Sequence, residues 1–218
     1  MKTTLLTLLL TCAASSVFAQ GQVQFRNLYH SGSIDVNGLV YTGSDTGTLV
    51  DNSNTLFRGA LLGGPTTGTA AFVPGSLPSH WNGTLTMGTL SLLYNPATTT
   101  LTWVNFRAAP NQGSVTVASA FRVITDVNWG GTALVQMVAW YGDYTTWADA
   151  FNAWQNGVAG VRVGASNPLT LTLPTGPTDP NLTYLVGLQS FYLSTPEPST
   201  LALAGLGAAA LFIFRRRT

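Results

Sequence analysis

Hydrolysis of a glycoside needs two carboxyl groups on either side of the bond, and this chain has few to offer. Glu197 is its only glutamate, so a pair would have to be two aspartates. Asp143 and Asp149, set among Trp140, Tyr141, Tyr144 and Trp147, come closest to a sugar-cleaving arrangement. Asp143 follows Gly142 and suits a turn, and Asp149 suits the first turn of a helix, where a negative charge is favoured. The two histidines, His30 and His80, lie in no zinc-protease spacing. Ser79-His80-Trp81 lacks the Gly-x-Ser-x-Gly elbow of a serine hydrolase, and no phosphate-binding loop follows a strand. No catalytic residues are therefore assigned, and a non-enzymatic role is expected.

Binding chemistry has more material. Trp and Tyr rings offer an apolar face to a sugar and a polar edge beside it. Trp81, Trp129, Trp140 and Tyr144 fall near expected turns, so they are the possible carbohydrate contacts. Asp35-Val36-Asn37-Gly38 and Asp51-Asn52-Ser53-Asn54 offer oxygen ligands for calcium, but neither completes an EF-hand loop and Asx-rich turns account for both. No metal site and no cofactor are assigned. Thr-x-Thr pairs at Thr84/Thr86, Thr100/Thr102 and Thr170/Thr172 are too scattered for a regular array and suit exposed strand positions.

These residues need a scaffold, and the sequence points to β-structure. Of the 218 residues, 45% are hydrophobic and only 8% charged, with 23 Gly and 11 Pro as punctuation. That is enough apolar material for one core and too much for disorder. Alternation in Gln22–Tyr29 and the apolar runs Thr55–Leu62, Val161–Val163, Leu169–Leu173 and Leu182–Leu193 read as strands. Ile34–Val36 and Leu39–Tyr41 flank Asn37-Gly38 as a hairpin. Thr84–Tyr94 should pair with Thr100–Phe106 across Asn95-Pro96-Ala97, and Val115–Val127 with Thr132–Tyr141 across Asn128–Gly131. About ten short strands of this kind predict an all-β domain, a sandwich or jelly roll. One segment differs: Trp147, Ala150, Phe151 and Trp154 recur at helical spacing, with Thr146 as N-cap and Asn156-Gly157 as terminator. A short amphipathic helix closing the domain is expected there.

The termini address the protein rather than fold it. Met1-Lys2, the apolar Leu5–Leu10 and Val17-Phe18-Ala19 form a signal peptide over residues 1–19, cleaved before Gln20. Cys12 is the chain's single cysteine and leaves with that peptide, so disulfide and thiol chemistry are excluded from the mature domain. Between Gln20 and Thr195 five arginines face seven aspartates, a net charge of −2, which excludes a nucleic-acid footprint. At the other end Leu201–Phe214 is a run of 14 apolar residues and glycines. As a helix it spans about 21 Å at roughly 1.5 Å per residue, short of the roughly 30 Å of a bilayer core. With Ser199 and Thr200 it forms a marginal membrane helix over residues 199–214. Arg215, Arg216 and Arg217 act as its cytoplasmic stop.

Pro196-Glu197-Pro198, a short apolar helix and a terminal arginine cluster, in that order, resemble the PEP-CTERM sorting signal of Gram-negative bacteria. The same tail is also known as an ice-binding protein C-terminal domain. The resemblance covers residues 195–218 and implies processing by exosortase, a membrane transpeptidase-like enzyme, in bacteria that make extracellular polysaccharide. The body of the chain, residues 20–194, resembles uncharacterised PEP-tailed proteins through Ala133–Trp140 and Leu185–Phe191, which brings no active site with it. The expected course is export, transient anchoring in the inner membrane with the domain outside, then transfer to the outer envelope, cell surface or matrix. The expected role there is structural or adhesive. A carbohydrate-binding module in an exopolysaccharide matrix is the alternative, and a glycoside hydrolase ranks third. The intact mass of the secreted protein should start at Gln20; a lipid on Cys12 would instead place the chain in lipoprotein sorting.

Overall fold

The computed structural model describes residues 20–43, 47–51, 56–74, 83–96, 103–115, 121–177, 179 and 183–195. In chain order the first strands are β1 (Gly21–Gln24), β2 (Leu28–Ser31), β3 (Ile34–Asn37), β4 (Val40–Thr42), β5 (Thr48–Leu49) and β6 (Phe57–Pro65). Then come β7 (Phe72–Pro74), β8 (Gly83–Leu85), β9 (Ser91–Leu92), β10 (Trp103–Asn105), β11 (Phe121–Ile124) and β12 (Thr132–Tyr141). Helix α1 (Trp147–Gln155) is followed by β13 (Arg162–Ala165), β14 (Leu169–Thr172) and β15 (Phe191–Leu193). The described residues are thus mostly β-strand with one short helix.

The centre is the antiparallel pair β6 and β12, in register from Ala133 opposite Pro65 to Tyr141 opposite Phe57. The outer edge of β12 is shared: β13 pairs with Val138–Tyr141 and β14 with Thr132–Val135. The outer edge of β6 is divided likewise between β10 and β9. The remaining ladders are antiparallel β1–β11, β2–β3, β7–β8 and β4–β5, together with the parallel pair β4–β15.

Side chains of a strand alternate between faces, and here both faces are covered. Ala133, Val135, Met137 and Ala139 of β12 join Leu61 of β6 in one core with Val23, Phe25, Phe106, Ile124, Phe191 and Leu193. Val138 and Trp140 join Ala60 and Leu62 in a second core, closed by Trp147, Ala150 and Phe151 of α1. A sheet buried on both sides has no polar face, which is why the sequence of β12 is a nearly continuous apolar run. Its exception, Gln136, is fully buried and fully used. Its Oε1 accepts from Ala71 N at 2.7 Å and its Nε2 donates to Ser166 O at 2.6 Å. Asn27 is a second buried joint: its Nδ2 donates to Gly38 O and Gly113 O at 2.8 and 2.9 Å, and its Oδ1 accepts from Val115 N at 2.9 Å. A buried amide left unpaired costs about 1–3 kcal/mol, so each fixes the segments it joins.

Helix α1 follows expectation. The Thr146 hydroxyl accepts from Asp149 N, the chain leaves the helix at Asn156, and Trp147, Ala150 and Phe151 are buried. Trp154 is half-buried against the same core. The pairing partners are corrected. Val115–Val127 and Thr132–Tyr141 do not form a hairpin, because β11 pairs with β1 and β12 takes β6, β13 and β14. Thr84–Tyr94 and Thr100–Phe106 are not partners either: β8 pairs with β7, while β9 and β10 both pair with β6. The first hairpin turns at Gly32-Ser33, between β2 and β3, and not at Asn37-Gly38. For β4, β9, β10 and β12, pairing with a strand distant in the chain outweighed the local turn signal. The described residues of Leu182–Leu193 supply only the short β15, and Gln22–Tyr29 breaks into β1 and β2.

Phe151 sits between the rings of Trp147 and Trp154, 5.6 Å from each. Phe151→Ala should lower unfolding free energy by about 3–5 kcal/mol. A loss under about 1 kcal/mol in chemical denaturation would mean that this face of α1 is not core.

Candidate functional site

The described fold ends in a strand bound on both edges. Phe191 N donates to Leu39 O at 3.0 Å and Gly43 N to Leu193 O at 3.1 Å, on the β4 side. Ser194 and Val163 exchange both backbone hydrogen bonds, at 2.9 and 3.1 Å, on the β13 side, and the Ser194 hydroxyl donates to Val163 O at 3.2 Å. Phe191 and Leu193 are buried in the first core. The approach of β13 to β15 requires a glycine, since a Cβ at Gly164 would overlap the Tyr192 carbonyl oxygen. The described chain ends at Thr195, one residue before Pro196. Pro196, Glu197, Pro198, the helix expected at 199–214 and Arg215, Arg216 and Arg217 lie outside the described residues, as does the signal peptide expected at 1–19. Among the described residues no helix is long and apolar enough to cross a membrane.

β15 runs out beside the start of β13, where Arg162 faces Tyr141 and Tyr141 faces Phe57. β15 thus runs toward the end of the sheet where β12 finishes. That end also holds the aspartates singled out above. Asp143 is exposed and bonds through Oδ1 to Arg58 Nη2 at 2.8 Å. Arg58 is buried, lies 4.3 Å from the Trp103 ring centroid, and donates through Nη1 to the Tyr144 carbonyl. Asp149 bonds to the Thr146 hydroxyl at 2.6 Å, within the cap of α1. Both carboxylates thus serve local structure.

The four aromatic candidates do not form one platform. Trp140 is corrected outright: it is fully buried, and its Nε1 donates to Tyr144 O at 3.0 Å, so its ring is core and offers no face to a sugar. Its period-two partners, Val138 and Gln136, face the same covered side. Tyr144 is half-buried just past the end of β12. Trp129 is half-buried in the turn before β12, at the opposite end. Ten residues of β12 at about 3.4 Å each put roughly 30 Å between those ends. Trp81 lies outside the described residues, as do Ser79 and His80. Of the calcium-type loops, Asp35 pairs with His30 at 3.6 Å and Asp51 accepts from Gln112 at 3.2 Å; residues 52–54 are outside the described set.

Two surface features escaped the sequence reading. Tyr29 and Tyr184 stack with centroids 4.8 Å apart and 6° between planes, with Arg26 5.1 Å from the Tyr29 ring. The hydrogen bond between the phenols holds Tyr29 below the usual tyrosine range and Tyr184 above it. The second is a small cleft of about 20 Å³ beside Trp129, lined by Gln22, Gln24, Phe121, Pro174 and Asp179 among others. No period or motif links residues drawn from β1, β11 and two loops.

Fold and junction together define an all-β domain with a processing address joined directly to its last strand. The family described as PEP-CTERM protein-sorting motif matches residues 194–217, starting at the residue that closes β15 onto β13, and the chain carries that motif. The motif implies export and exosortase sorting to the cell envelope. Neither the curated proteins nor the solved structures include a match to the chain.

Gly164→Val should force β15 away from β13. We expect a loss of at least about 2 kcal/mol in stability and new protease cleavage within residues 185–195. Wild-type stability and protease resistance in this variant would show that the junction is loose.

Proposed function

We propose that this protein is an exported β-sandwich with a structural or adhesive, non-enzymatic role. Its tail anchors it briefly in the inner membrane and exosortase then passes it to the outer envelope, surface or matrix. The observation that carries the non-enzymatic part is the occupation of Asp143 and Asp149. One is bonded to Arg58 and the other to its own helix cap, so the best carboxylate pair in the sequence already has a structural task. The sorting part rests on the motif and on a strand that hands the chain to it without a linker.

On this reading Pro196-Glu197-Pro198 is what exosortase recognises, and Arg215, Arg216 and Arg217 hold the tail in place until it does. A central arginine costs roughly 2.5–3.5 kcal/mol to insert, so three of them oppose passage strongly. In a host with exosortase, fractionation and immunoblotting should find the wild type processed and beyond the inner membrane. Glu197→Ala should accumulate as an uncleaved membrane precursor. Replacing the three arginines by Gln should let the chain slip through unprocessed. Normal retention and cleavage of the arginine variant would overturn this account of the tail. Release of reducing ends from the producer's polysaccharide by the wild type, lost in Asp143→Asn/Asp149→Asn, would restore the hydrolase.

A further inference from the structure

We propose that Tyr29 and Tyr184 form a site of oxidative cross-linking, at which a peroxidase using hydrogen peroxide joins the two rings as dityrosine within one chain. The inference goes beyond the structural role above and does not depend on the sorting tail. The pair is already assembled. Tyr29 lies in β2 opposite Val36, and Tyr184 lies in the irregular segment before β15. Their rings stack with centroids 4.8 Å apart and 6° between planes. The Tyr184 hydroxyl donates to the Tyr29 oxygen, so the rings meet at their hydroxyl edges, where the reactive ortho carbons lie. Both side chains pack against the first core yet are only half-buried, which leaves them open to a small oxidant.

The chemistry balances with one oxidant. Each phenol gives an electron to the peroxidase and its hydroxyl proton to water, leaving a radical with spin on the ortho carbons. The two ortho carbons bond, and the hydrogen on each moves to its ring oxygen as aromaticity returns. Peroxide takes up the two electrons and two protons, its O–O bond breaks, and two waters result. Two features select this pair. Hydrogen bonds from Tyr184 and Ser31, with Arg26 5.1 Å from the ring, hold Tyr29 below the usual tyrosine range. A phenol that loses its proton readily is also readily oxidised. Among the described residues it is also the one ring pair made of two tyrosines: Tyr141 faces Phe57, and the Tyr94 hydroxyl is bonded to Gln20. The backbone can yield the small approach needed, since β2 pairs only with β3 and Tyr184 belongs to no described ladder. Residues 20–195 contain no cysteine, so no disulfide ties this domain. A bond from β2 to the segment before β15 closes a loop over most of it, and a cross-link stabilises more as its loop lengthens.

The test treats the full exported protein with a haem peroxidase and limiting hydrogen peroxide, then isolates the monomer by gel filtration. The monomer should gain dityrosine fluorescence, weigh two hydrogen atoms less and yield a peptide that joins Tyr29 to Tyr184. Its melting temperature should rise by at least about 5 °C. Tyr29→Phe and Tyr184→Phe each keep the ring and remove the hydroxyl, so each should fold and lose the cross-link, whereas Tyr192→Phe should retain it. The peptide map of the wild type decides the site even where a variant fails to fold. No dityrosine in the monomer, fluorescence confined to dimers, a bond mapped to any other tyrosine, a cross-link retained in Tyr29→Phe or Tyr184→Phe, or an unchanged melting temperature would each overturn it.

Discussion

The β6–β12 ladder is the constraint from which the rest of the molecule follows. Two strands paired over nine positions and covered on both faces leave no surface on which polar side chains could meet water. Every inward residue must then be apolar, absent or hydrogen-bonded. Gln136 takes the last option, joining the loop at Ala71 to the β13–β14 connection. Gly63 takes the second, since a Cβ there would crowd Leu93. Two edges remain, and each is filled by two short strands rather than one long one. That division lets the chain leave the sheet midway and cross to the other core.

Covering the second face fell to α1, whose aromatic stripe meets Trp140 with ring centroids 6.5 Å apart. Holding the chain between β12 and α1 fell to Arg58. Its guanidinium stacks on Trp103 and grips Asp143 and the Tyr144 carbonyl. Asp143 is largely exposed, so the ion pair itself is screened by solvent and adds little. The part-buried hydrogen bonds from Arg58 and Trp140 to one carbonyl do more to fix the loop. Arg122, buried beside Phe25, shows the cost of such placements: desolvation lowers its pKa to about 10, although it stays charged at neutral pH.

The two ends of this sheet differ in what they carry. At one, β15 lies between β4 and β13 and passes the chain to the sorting motif within two residues of Ser194. At the other, the turn after β11 displays Trp129. The long central strands supply that separation.

Local signals in the sequence determined the β-rich class, the capped helix at Trp147–Gln155 and the sorting tail. Each of these depends on neighbours in the chain: alternation, helical spacing with Thr146 as cap, or the fixed order of Pro196-Glu197-Pro198, apolar run and arginines. Pairing partners depended on residues far apart, so the turn-like Asn128–Gly131 lies between strands that do not pair. The fate of Trp140 was undecidable for the same reason. Only the tertiary structure shows that α1 folds back over it, and only the tertiary structure brings Gln24, Trp129, Pro174 and Asp179 to one cleft. Spacing along a chain records which face of an element is apolar; what comes to lie against that face is set by long-range burial.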